Sequence, residues 1–296
     1  MSGAPAIYFL SDYGIADEFV GVVHAVLHRL APGVPVIDLS HLIPPFDVRS
    51  GASMLERAAP HLGHGIVLAV VDPGVGTDRR ALAVGTDGPG PTWLVGPDNG
   101  LLAPLARCLG GARRAVALGG AVPGAGPASL PSTFDGRDVF APAAAWAVMG
   151  RDPSELGTPI DPATLVAAPS GSTVGEPGEP RSPASEDSVT ARVVWVDRFG
   201  NVQLGLDPME LDLLGIRIGD TAEITVYDDS NDRVEPVAAR RVRTFAALAR
   251  GELGLLADAN GRMALAVDRA SAADRLGVGT TEAVVRISVT ALPSGQ

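Results

Sequence analysis

The strongest constraint on the fold is an alternation that runs through the first half of the chain. Short apolar runs alternate with longer segments whose apolar residues recur at helical spacing. Residues 6–10 are apolar and end at Ser11-Asp12-Tyr13-Gly14, after which residues 19–30 carry a helical pattern. Residues 36–39 are again strand-like, Asp47 is placed to cap a helix over 48–59, and 66–71 is a continuous apolar run. Further strands are expected at 80–85, 93–95 and 115–118, with helices at 101–109 and 137–149. Such alternation predicts an α/β fold with a mostly parallel sheet flanked by helices on both faces.

Residues 167–188 break this pattern with Pro, Gly, Ser and Glu and almost no large apolar side chain, which predicts a linker. Beyond it, 189–196, 221–227 and 283–289 are rich in β-branched residues while helical signals are sparse. The expected organisation is an N-terminal α/β domain over 1–166, the linker, and a smaller β-rich C-terminal domain over 189–296.

Composition narrows the function. Apolar residues make up 46% and charged residues 19% of the sequence, enough to bury a core. A net charge of −11, without a dense Lys/Arg run, excludes the usual electrostatic footprint of nucleic-acid binding. Cys108 is the only cysteine, so neither a disulfide framework nor a multi-cysteine metal site can form, and a cytoplasmic location is expected. No apolar stretch is long enough to span a bilayer, and no membrane partner is expected. The five histidines show no metal-ligand spacing, so no metal is expected.

In an open α/β sheet, ligands bind beyond the carboxyl ends of the strands. Three polar segments follow apolar strands there: Asp12, Asp72, and Gly96-Pro97-Asp98-Asn99-Gly100. Each alone could be a helix cap or a turn residue. In Asp72-Pro73-Gly74-Val75-Gly76-Thr77-Asp78-Arg79 a carboxylate at a strand end precedes a glycine-rich turn and an arginine, and the turn can fold Arg79 back toward Asp72. The G-x-G-x-x-G dinucleotide pattern is not completed. Ser132-Thr133-Phe134-Asp135-Gly136-Arg137-Asp138 adds carboxylates and an arginine at a helix start, where capping is the ordinary alternative. Asp197-Arg198-Phe199-Gly200-Asn201 offers an aromatic ring and an amide, either for a base or for a hairpin turn.

Taken together and in order, these motifs, with the segment from His41 to Asp47, resemble the adenosine-forming S-adenosyl-L-methionine (SAM) hydrolases, relatives of fluorinase and chlorinase. The resemblance implies hydrolysis of SAM to adenosine and L-methionine without a cofactor, in a homotrimer whose active sites lie between neighbouring subunits. It implies that Asp12 holds the ribose hydroxyls and that Phe46 and Phe134 wall the ribose and sulfonium. Asn99 is a further substrate contact, Phe199 and Asn201 receive adenine, and Asp17 and Asp197 face the methionine ammonium. Phe245 and Arg269 stand at positions similar to additional contacts. Like the hydrolases, and unlike the halogenases with their Tyr, this chain has Asp72 beside the attack position, with Arg79 to match.

The hydrolases generally place His where Asp135 stands, so Asp135 is the substitute candidate in the catalytic set of Asp72, Arg79 and Asp135. Arg79 is expected to lower the basicity of Asp72, leaving Asp72 to orient the water and Asp135 to accept its proton. Ala259 and Asn260 also depart from the family's pattern for the methionine carboxylate. The alternative functions are a non-catalytic adenosine or SAM binding protein and a nucleophilic halogenase that forms 5′-halo-5′-deoxyadenosine.

Overall fold

The computed structural model describes residues 4–119, 133–168, 188–227, 235–279 and 283–289. The chain divides into two compact units, Met1–Ser172 and Thr173–Gln296. Most of the expected linker lies outside the described residues.

The first unit is built on seven strands, β1 (Ala6–Ser11), β2 (Val36–Ser40), β3 (Gly65–Val70), β4 (Ala81–Gly85), β5 (Pro91–Pro97), β6 (Arg114–Leu118) and β7 (Gly157–Ile160). They form one sheet in the order β2-β1-β3-β5-β4-β6-β7. Among the described residues four α-helices accompany it: α1 (Phe19–Leu30), α2 (Val48–Ala58), α3 (Ala103–Cys108) and α4 (Ala141–Val148).

Strand β1 shows why both faces must be covered. Ile7 and Phe9 enter a core with residues of α1 and α4, while Ala6, Tyr8 and Leu10 enter a second core with residues of α2 and α3. Successive side chains of a strand point to opposite faces, so a continuous apolar run has two buried sides. Asp47 caps α2 as expected, its carboxylate accepting the Ser50 amide at 2.9 Å.

The sheet is mixed, which corrects the expectation of a mostly parallel one. The β2-β1-β3-β5 half is parallel, but the β5–β4, β4–β6 and β6–β7 pairs are antiparallel. Only residues 86–90 join β4 to β5, too few for the crossover that parallel neighbours need.

The helix expected at 137–149 is also modified. Its first turn, Gly136–Phe140, is π-helix, and α4 continues from it. Single π turns of this kind are frequent at functional sites.

The second unit is a closed barrel with order β10-β11-β12-β13-β9-β8-β14. Its strands are β8 (Ser188–Val196), β9 (Val202–Leu204), β10 (Thr221–Tyr227), β11 (Val237–Arg241), β12 (Leu253–Ala257), β13 (Met263–Val267) and β14 (Val284–Val289). Inward-facing Val193, Ile224, Leu255, Leu265 and Ile287 fill its core with Leu211 of α5 (Pro208–Leu213) and Leu276 of α6 (Ala272–Leu276). Closure removes the free edges that an open β-rich unit would expose. Among the described residues no helix is long and apolar enough to cross a membrane.

Candidate active site

Strand β3 ends at Val70, and the chain turns so that Asp72 and Arg79 meet. Val75 N–H donates to the Asp72 carbonyl at 3.4 Å and Thr77 N–H to the Gly74 carbonyl at 3.1 Å. Thr77 Oγ1 then donates to the Gly74 carbonyl at 2.7 Å and accepts the Arg79 amide at 3.3 Å. This scaffold returns the Arg79 guanidinium to the carboxylate. Nε donates to Asp72 Oδ1 at 3.0 Å, and Nη2 pairs with Asp72 Oδ2.

The same Nη2 donates to Asp135 Oδ2 at 2.7 Å, across 56 residues of sequence. Asp135 sits at the N-cap position of the π turn, yet its side chain makes no capping hydrogen bond; it pairs with Arg79 instead. Arg79, Asp72 and Asp135 expose only 9%, 6% and 16% of their side chains, so one guanidinium is shared by two desolvated carboxylates.

The Asp72 carboxyl titrates above its ordinary value. Burial is the largest cause, opposed by Arg79 and the Gly74 amide and reinforced by the negative charge of Asp135. Arg79 therefore pulls in the expected direction, but burial outweighs it.

Tyr13 lacks an assigned role in the sequence reading, yet it belongs here. Burial raises its hydroxyl pKa, and the nearby charges of Asp12, Asp72 and Asp135 add to the shift. A Cβ at Gly136 would lie 2.0 Å from Tyr13 Oη, so only glycine lets the π turn approach this ring. The sequence clue was the place of Tyr13 directly after Asp12 at a strand end.

The Phe134 ring packs edge-to-face against Tyr13 and Phe19, with centroid separations of 5.4 Å and 5.1 Å. Asp12 accepts the Phe46 amide at 2.9 Å; its own pKa is raised by burial, which outweighs that hydrogen bond. Asp17 is exposed in the loop before α1. Asn99 serves the backbone, donating to the Val71 carbonyl at 2.8 Å and accepting the Leu101 amide at 3.1 Å.

In the second unit, Phe199, Asn201, Phe245 and Arg269 line one cavity of about 520 Å³ with Asp268 and Ser271, within the range of small-molecule sites. Asp197 organises the turn beside it. Its carboxylate accepts the Phe199 and Asn201 amides at 2.8 and 2.9 Å and the Asn201 side-chain amide at 2.8 Å. Asn201 Oδ1 is thereby left as the acceptor of that side chain. Gly200 has φ +80°, and a Cβ there would meet Ser271 Oγ at 2.1 Å, so the turn packs directly on the opposite wall.

Phe46 and Arg269, with φ of +68° and +53°, are the non-glycine residues in the left-handed region among the described residues. Each such residue costs about 1–3 kcal/mol and tends to persist where function requires it. Both are substrate contacts implied by the resemblance.

The SAM hydroxide adenosyltransferase N-terminal domain matches residues 7–157 of this chain, and the C-terminal domain of the same family matches residues 191–285. A protein from Salinispora tropica named (R)-S-adenosyl-L-methionine hydrolase is 43% identical over 94% of this chain and 96% of its own length. One of the same name from Thermus thermophilus is 40% identical over 92% of this chain and 95% of its length. A fluorinase from Nocardia brasiliensis is more distant, at 26% identity over 91% of this chain and 92% of its own. Among solved structures, an uncharacterized conserved protein from Thermotoga maritima superposes with a TM-score of 0.79 at 30% identity, covering 95% of this chain and 99% of that one.

Proposed function

Because the chain belongs to the SAM hydroxide adenosyltransferase family, we propose that it hydrolyses S-adenosyl-L-methionine to adenosine and L-methionine, with Asp72, Arg79 and Asp135 as its catalytic set. The observation that carries this reading is the single guanidinium of Arg79 held between two largely desolvated carboxylates, one just beyond the end of β3 and the other at the start of the π turn.

The reaction is an in-line displacement at the ribose 5′ carbon. The sulfonium departs as a neutral thioether, so the leaving group needs no proton; what remains is to align a water and remove its proton. A buried carboxylate can accept a hydrogen bond from that water, fixing a lone pair along the attack line. Asp72 orients the water, and its raised basicity makes it an acceptor for the departing proton beside Asp135, which stands where the resemblance implies histidine. Arg79 offsets the negative charge that grows as hydroxide develops. A positioned base contributes about 10² to 10⁴ in rate, and alignment supplies a comparable share. The buried carboxylates also disfavour a halide at the attack position by charge repulsion, which supports water over halide as the nucleophile.

Asp12 receives the ribose hydroxyls, with Phe46 and Phe134 beside the ribose and sulfonium. In the second unit Phe199 and Phe245 take the adenine faces and Asn201 its edge, with Arg269 in the same cavity. Asp17 is assigned to the methionine ammonium. Asp197 acts through the turn that presents Phe199 and Asn201, and Asn99 through the backbone beyond β3, which makes both positioning residues. The enzyme acts without an added cofactor, in the cytoplasm, as a homotrimer whose active sites lie between subunits.

Purified protein incubated with SAM, in the presence and absence of chloride or fluoride, tests the reading by chromatography. Adenosine and methionine in equal amounts, independent of halide, are expected. A 5′-halogenated nucleoside would make the protein a halogenase, and tight SAM binding without products would make it a binding protein.

A further inference from the structure

Away from the Arg79 cluster, the fold gathers three side chains whose spacing in sequence does not predict a metal site. His24 comes from α1, Asp38 from β2, and His41 from the residue after the β2 end. One ligand atom from each lies within 4.8 Å of the others. Asp38 Oδ1 is the hub, 2.9 Å from His24 Nε2 and 3.1 Å from His41 Nε2.

His41 is 7% exposed and is fixed by its other groups. Its Nδ1 lies 2.8 Å from Ser11 Oγ, and its carbonyl accepts the Gly14 amide at 2.7 Å. The Phe9 ring packs edge-on against the imidazole at 4.5 Å and lies 6.0 Å from that of His24. Within this setting His41 Nε2 is buried and makes no hydrogen bond, although Asp38 Oδ1 is within ion-pair distance.

An imidazole donating Nδ1–H to a hydroxyl presents a lone pair at Nε2. In that tautomer the His41 lone pair stands 3.1 Å from Asp38 Oδ1, with no hydrogen bond between them. A cation resolves the repulsion between two such acceptors, and the third atom, His24 Nε2, is close enough to join. Ligands at about 2.0–2.1 Å around tetrahedral zinc are separated by about 3.3 Å; both Asp38 contacts lie within a few tenths of an ångström of that spacing, and the two imidazole nitrogens, within 4.8 Å of one another, close to it by rotation of the half-exposed His24 side chain. The hydroxyl on the far ring nitrogen and the apolar Phe9 wall are the kind of surroundings that fix a ligating histidine.

We propose that His24, Asp38 and His41 form a binding site for a divalent first-row transition metal, best suited to zinc, with the fourth position open to solvent. Two imidazoles and one carboxylate match the borderline character of that ion. The site is separate from the hydrolytic cluster. It ties α1 and β2 to the Ser11–Gly14 turn, which carries Asp12 and Tyr13, so a bound ion would rigidify that turn.

The test uses full-length, untagged protein freed of metal by a chelator and titrated calorimetrically with zinc chloride. Cobalt(II) provides a parallel spectroscopic readout of four-coordinate geometry. Wild type should take up one zinc per chain and melt at a higher temperature with zinc than without it. His24→Ala and Asp38→Asn alter side chains that reach solvent, and each should weaken zinc binding at least tenfold and remove the thermal shift. Cys108→Ser should bind like wild type. Ser11→Ala, which removes only the hydroxyl behind His41, should weaken binding about tenfold, within the range found for such outer contacts. Absence of saturable one-per-chain uptake by wild type would overturn the proposal and leave His24 and Asp38 as a simple hydrogen-bonded pair. Undiminished uptake in both His24→Ala and Asp38→Asn would overturn it equally, by locating the metal elsewhere.

Discussion

The two groups of proposed substrate residues, one in each unit, are built from different interactions. In the first unit, Arg79 is 9% exposed and engaged with two carboxylates through Nε and Nη2, so charge and desolvation define the geometry. In the second unit, Phe199 is 71% and Phe245 47% exposed, and the cavity they line is shaped by a turn that Asp197 and Gly200 hold in place. Such a cluster is most sensitive to loss of its cation, because removing Arg79 leaves two carboxylates uncompensated. A wall of exposed rings should lose affinity in proportion to the stacking area removed, with little effect on the fold. The first group is suited to rate and the second to binding.

The sharpest attempt to break this division is Arg79→Ala. It leaves Asp72 and Asp135 facing one another, and kcat should fall at least about a hundredfold, as when one electrostatic stabiliser is removed. Steady-state assays should show that fall together with a stability loss of about 3–5 kcal/mol in denaturant unfolding. Wild-type stability in this variant would show that the cluster is not the charge-coupled unit described.

Phe199→Ala tests the other side. Stacking of a base on an aromatic ring contributes about 1–3 kcal/mol, so KM should rise about five- to 150-fold while kcat stays within about twofold. A large fall in kcat would assign this group a part in the chemistry.

Asp72→Asn should lower kcat at least about tenfold with little change in KM. Its stability effect carries a definite sign. The folded-state pKa of Asp72 is raised, so the protonated form favours folding. That contribution is present below the unfolded-state value and is lost as pH rises through the folded one. The Asn variant should therefore melt above wild type at neutral pH, and the gap should close as pH falls below the ordinary aspartate range. In wild type, the acid limb of the kcat/KM profile should lie above that same range.

The smallest effect is expected from Asp135→His, which gives the cluster the histidine that the family resemblance implies and should raise turnover by a few fold in the same assay. A collapse of activity would mean that the π turn and Arg79 are adapted to a carboxylate.

Much of the fold was legible in sequence because burial imposes periodicity. The two-sided apolar run of β1, the 3.6-residue pattern of α1 and the Asp47 cap are local signals read at their observed places. The antiparallel half of the sheet was less legible, since strands paired in either sense can carry the same apolar run and only the 86–90 connection distinguishes them. In the site, the Asp72-to-Arg79 turn could be read from its glycines because its partners are seven residues apart.

The sequence by itself determined which residue types stand at the strand ends, that an α/β region precedes a β-rich one, and that a carboxylate and an arginine can meet across a short turn. Only the tertiary structure decided that Asp135 would give up helix capping for Arg79, that Tyr13 would press against Gly136, and that burial would outweigh Arg79 in setting the basicity of Asp72. The reason is physical. Periodicity and turn propensity act between neighbours along the chain, whereas desolvation and ion pairing depend on what packing brings together from distant segments, and those energies are undefined until the core has closed.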